Sequence, residues 1–166
     1  MLEKSDDLDI RVIALLNLLS YRVERDILPN IVCRIREVIG KNVSETEKHV
    51  ILGKLVAFTV YTGSQTILSK FKDDREKADE FNAKLFLCFL KKFGEAKETL
   101  LDFERDNPAM GEAQPIWSLG SQISKSLGLE DFILAVSVGS FSPQLSEIEL
   151  ESTKYCIETP LSELKA

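Results

Sequence analysis

Histidine is nearly missing from this chain: among 166 residues His49 is the only one. A centre that needs two imidazoles, such as a His-rich zinc or di-iron site, is thereby excluded. Cysteine is almost as scarce. Cys33, Cys88 and Cys156 lie far apart and form no CxxC pair, so neither a zinc ribbon nor a dithiol redox centre has support. In "NIVCRI" and "LFLCFL" the neighbours are apolar, and buried free thiols are expected. Glycine-rich phosphate loops, GxSxG, HExxH and the EF-hand loop are also absent. An enzyme of unknown class is accordingly the third-ranked expectation.

Long hydrophobic runs are lacking too. The segment from Val12 to Leu19 is interrupted by Asn17 and falls well short of the roughly 20 residues that span a bilayer. The opening residues, MLEKSDDLDIRV, are acidic where a secretory leader would be basic. A cytoplasmic chain without a membrane partner is the expectation. Nor is there a surplus of positive charge: the net charge is -6. Residues 1–106 are nearly balanced, whereas residues 107–166 hold eight acids against three bases. That field repels nucleic acid and anionic membranes.

What the chain does have is helical periodicity. A 44% apolar content with 29% charged residues suits a globular domain rather than a disordered one. Ile10, Ile13, Leu16 and Leu19 recur at helical spacing within 8–24. Pro29 either breaks that helix or opens the next, in which Ile31, Val32, Ile35, Val38 and Ile39 share a face and Gly40 ends the run. "SETE", residues 44–47, is a capping box. The helix it opens is expected to reach Thr62, with Gly63 and Ser64 as punctuation before a short helical piece, "QTILSKF".

Residues 73–93 give the strongest helical signal. Ala78, Phe81, Leu85, Cys88 and Phe89 form a stripe that Phe86, Leu90 and Phe93 widen, which places this helix at the expected heart of the bundle. Residues 95–105 continue as a thinner amphipathic helix. Residues 106–115, "DNPAMGEAQP", are the clearest loop. From Ser142 and Pro143 another helix can start, and 152–166 is a short C-terminal tail of helix, strand or coil.

Between them, "SQISKSLGLEDFILAVSVG" (121–139) has the outline of a DNA-reading helix-turn-helix. Ile123, Leu127 and Leu129 face inward and Gly128 turns the chain. The second helix, however, begins Glu130, Asp131, Phe132, Ile133, where arginine, asparagine or glutamine would meet base edges. It is a packing hairpin, its second helix expected in the core, and no nucleic-acid partner is expected.

The fold class expected is all-α, a single compact bundle of about six to eight helices over 1–166, of which a globin-like arrangement is one form. No globin-specific motif is present. The leading functional expectation is a non-enzymatic regulatory or adaptor protein that binds another protein or a second copy of itself through its first helix, around Leu15 and Leu18. The alternative is a globin-like helical sensor for an apolar small molecule, a fatty acid or, as the weaker choice, haem held by His49. Its candidate pocket residues are Phe81, Phe86, Phe89 and His49. No catalytic residue, metal or cofactor is assigned. The arginines Arg22, Arg25, Arg34 and Arg36 have acids nearby that can neutralise them, and Glu147, Glu149 and Glu151 are expected to form a solvated face.

Overall fold

Between residues 49 and 69 Lys54 is the one side chain that is permanently charged, and there the chain builds its longest helix. The computed structural model describes residues 5–106 and 113–164. Among these are eight α-helices: α1 (Ser5–Asp26), α2 (Leu28–Ile39), α3 (Glu45–Lys70), α4 (Arg75–Lys92), α5 (Lys97–Asp106), α6 (Ala113–Ser126), α7 (Phe132–Gly139) and α8 (Ser142–Glu158). Two 3-10 turns, Gly94–Ala96 and Leu161–Glu163, complete the described structure, which contains no strand. The all-α bundle is as expected.

The capping box starts α3 as its residues suggest: the Glu47 amide donates to Ser44 Oγ at 3.1 Å and the Ser44 amide to Glu47 Oε1 at 3.0 Å. From there α3 runs for 26 residues without a break. It touches α1, α2, α4, α5, α6 and α8 and buries Ile51, Leu55, Val56, Phe58, Val60 and Ile67. A helix apolar on nearly every side belongs at the centre. The centre is therefore α3, not the 73–93 helix.

The expected break at Gly63 is corrected for a physical reason. The helix is held through this point by packing on α8: Gly63 is buried against it, and a Cβ there would be in ordinary contact, 3.6 Å from Glu149 Cγ. Gly53 packs likewise on the turn after α4, where a Cβ would stand 3.4 Å from Ala96. Both glycines mark crossings rather than ends. Ser64, buried within the helix, satisfies its hydroxyl by donating to the Tyr61 carbonyl at 2.7 Å.

Each remaining helix buries one stripe. In α4 this is Ala78, Phe81, Leu85 and Phe89, while Leu87 on the other side is 61% exposed. In α1 the core positions are Leu8, Val12, Leu15, Leu16, Leu19 and Val23, so Ile10 and Ile13, read from the sequence as part of the inward stripe, face outward. Pro29 sits in the first turn of α2, and Gly40 closes it with φ +69°, its N–H donating a hydrogen bond to the Arg36 carbonyl.

The expected loop 106–115 falls largely on residues outside those described; its last three belong to α6. The C-terminal segment is helical to Glu158, which decides "KYCIE" in favour of helix. Buried Arg11 holds that helix end to α1, Nη1 donating to the Cys156 and Thr159 carbonyls, both at 2.8 Å.

Candidate functional site

The α6–α7 hairpin is assembled around a tight turn. Gly128 has φ +73°, a conformation that suits glycine. The Leu129 amide returns to the Ser124 carbonyl at 3.1 Å, and Ser124 Oγ donates to the Leu129 carbonyl at 3.0 Å. Asp131 then caps α7 by accepting from the Leu134 amide at 2.8 Å. Further along, the two helices come into backbone contact, since a Cβ at Gly120 would overlap the Ala135 carbonyl. On the inner side a polar network anchors α6: Lys54 Nζ donates to Thr99 Oγ1 at 2.9 Å and to Gln122 Oε1 at 3.3 Å, and Gln122 Nε2 donates to Asp102 Oδ2 at 2.7 Å. Burial pushes the Lys54 ammonium below its usual range, with Asp102 acting in the opposite direction.

The outer side of this rigid hairpin is apolar and uncovered. Leu134, Ala135, Val138 and Gly139 of α7 are buried, but Phe132 is 68% and Ile133 67% exposed, with Trp117 and Val136 both at 42%. The sequence places this whole helix in the core; only half of it is there. A helix of eight residues has two sides, and α7 carries no charged residue with which to mark the outer one. The Trp117 and Phe132 rings lie 5.6 Å apart, centroid to centroid. Beside them a groove of about 350 Å³ is lined by Trp117, Lys125, Leu129, Glu130, Asp131 and Phe132, among others.

His49 lies elsewhere, on two adjoining grooves. One, of about 660 Å³, has walls of Leu28, Pro29, Val32 and Leu52. The other, of about 420 Å³, includes Asn17, Tyr21, Lys92 and Phe93. The His49 side chain is 58% exposed, and its Nε2 is 3.0 Å from Glu95 Oε1. Neither groove is lined by Phe81, Phe86 or Phe89. Phe81 and Phe89 are fully buried in the core, and Phe86 is half-buried. The four candidate pocket residues are thus distributed between core and surface, with Phe93 as the link: its ring is 5.6 Å from Phe89 and 6.0 Å from His49.

One titratable group was hidden from sequence reasoning. Glu149 belongs to the acidic trio expected on a solvated face, yet it is almost completely buried, between α3 and α8. Thr66 Oγ1 donates to its Oε1 at 3.0 Å and Thr153 Oγ1 to its Oε2 at 2.8 Å. Burial raises its pKa, and the hydroxyls of Thr153, Thr66 and Thr62 oppose the shift. The signal available was the run of threonines on α3 together with Gly63. Of the thiols, Cys156 is buried as expected and pushed up to about 12, whereas Cys88 is half-buried and Cys33 is exposed on the side of α2 opposite Ile31 and Ile35. The arginines are paired largely as expected, Arg25 with Asp26 and Arg34 with Glu37, while Arg22 reaches across to Glu151 at 2.8 Å.

Among the described residues no cluster of three metal-ligating side chains occurs, and no helix is long and apolar enough to cross a membrane. The class of protein that fold and surface define is an all-α bundle with an uncovered aromatic and aliphatic face on one hairpin. No family model, curated protein or solved structure matches this chain.

Proposed function

We propose that this protein is a non-enzymatic binding module, of the regulatory or adaptor kind, and that the outer face of α6–α7 docks another protein in the cytoplasm. The observation that carries the reading is the exposure of Trp117, Phe132, Ile133 and Val136 together on one hairpin. Contiguous apolar patches of this kind on soluble domains mark interaction sites, and tryptophan and other aromatics dominate binding energy at such sites. The close backbone contact at Gly120 fixes the two helices relative to each other, so little order has to be gained on binding. The docking face differs from the first-helix surface suggested by the sequence. Leu15 is buried and Leu18 partly so, which makes substitutions there tests of folding rather than association.

The test is a comparison of captured partners. The protein and a Phe132→Ser/Ile133→Ser variant of equal melting temperature are used to capture proteins from an extract of the source cells. A defined partner that the variant loses supports the proposal. An identical partner set in both overturns it.

A second reading, a helical sensor for an apolar small molecule, is favoured by the His49 groove with its walls of Leu28, Pro29, Val32 and Leu52. For haem to use His49, either Nε2 has to leave Glu95 or Nδ1 has to serve as the ligand.

A further inference from the structure

The groove beside Trp117 has a composition that selects its occupant. Its lining combines aromatic and aliphatic side chains, Trp117, Phe132, Leu129 and Ala135, with Glu130 and Asp131 against a single lysine, Lys125. Aromatic faces beside carboxylates receive a cation on an aliphatic stem: the stem lies along the rings and the charged end meets the acids. Ile133 and Val136 extend the apolar surface along α7, at the spacing of successive helical turns. The local charge agrees, because two acids against one lysine at the groove favour a basic segment.

The area of the face argues against a second copy of this chain. Four side chains exposed to these fractions present on the order of 400 Å². A pair of such faces buries about 800 Å² in total, below the roughly 1,200 Å² at which stable interfaces begin. One short segment is a better match. We infer that the α6–α7 face binds a short basic segment of a partner protein, an arginine or lysine of which enters the groove between Trp117, Phe132, Glu130 and Asp131 while neighbouring apolar residues cover Ile133 and Val136. This rests on the partner-binding reading above and specifies its chemistry.

Trp117 is the single tryptophan in the chain, so its emission reports on this groove alone. The probe is a twelve-residue peptide of leucine and alanine carrying two arginines, compared with the same peptide carrying glutamines instead. The arginine peptide is expected to shift Trp117 emission saturably and to bind about tenfold more tightly than the glutamine peptide, a preference that falls with added salt. Glu130→Gln alone reduces this preference, and Glu130→Gln/Asp131→Asn removes it; asparagine keeps the helix cap, and a melting curve confirms the fold. Equal binding of the two peptides, or a preference that survives the double variant, overturns the inference. So does an emission shift produced by phosphatidylcholine vesicles or by raising the concentration of the protein alone, which would assign the face to a membrane or a second copy. If neither peptide shifts the emission the inference fails, whereas the wider reading fails only when Phe132→Ser/Ile133→Ser leaves the captured partners unchanged.

Discussion

Glu149 carries an electrostatic consequence that no surface acid in this chain shares. Its folded-state pKa is raised by burial, so the native protein keeps this proton to a higher pH than the unfolded chain does. Through the window between the ordinary carboxyl range and the raised value, unfolding releases a proton, and stability falls as pH rises. Below that window both states are protonated and the difference disappears. Glu149→Gln is therefore expected to melt above the parent protein at pH 8 and to converge with it towards pH 4; a gap that does not change with pH would remove the assignment. Gly120 is critical for a steric reason. In Gly120→Ala the new methyl meets the Ala135 carbonyl, a backbone atom that cannot turn aside, and a loss of about 3 kcal/mol or more is expected in urea denaturation. Little of this was legible in the sequence. Glu149 looks like Glu147 and Glu151 until the threonines of another helix are brought against it, and Gly120 has the appearance of any small residue in a helix until its neighbour is known.

For the helices themselves, local chemistry was a better guide. Ser44 and Glu47, Gly40, Gly128 and the prolines of α2 and α8 act through bonds and dihedral angles within a few residues, and the boundaries they set agree with the sequence. Where a boundary depended on packing, the sequence was misleading. Gly63 resembled punctuation because glycine is poor in isolated helices, but in α3 the crossing of α8 decides. The 73–93 segment looked central because apolar residues nearly surround it, although Leu87 and Phe86 lie off its buried stripe. Two substitutions on α4 test this arrangement. Phe89→Ala removes a fully buried ring and should cost roughly 3–5 kcal/mol, whereas Leu87→Ser, on the exposed side, should change stability by about 0.5 kcal/mol or less. In the hairpin, Gly128→Val forces a β-branched residue to positive φ and should cost about 1–2 kcal/mol in thermal denaturation.

Over the whole molecule, charge and exposure divide the possible partners. Glu130 and Asp131 open the second half of the hairpin with the helix-turn-helix outline, and Phe132 and Ile133 occupy the positions from which base edges would be read. Anisotropy of a labelled mixed-sequence duplex is expected to stay flat to tens of micromolar protein at physiological salt; a saturable rise that salt abolishes would contradict this. The all-α class was legible because periodicity alone determines it, while the docking face was not, because α7 is apolar on both sides and only its neighbours decide which side is covered. The bond from Arg11 to the Cys156 carbonyl has a consequence in time as well as in space. It joins residues 145 positions apart, and α1 meets α8 again where Arg22 pairs with Glu151. On the ribosome α1 is made well before α8, so the part of its surface that packs on α8 is completed only when α8 has emerged. Until then the helix has an apolar stripe without its full cover, and closing so distant a contact is slow. Over the interval between the synthesis of α1 and that of α8, the growing chain carries apolar surface of the kind that favours aggregation.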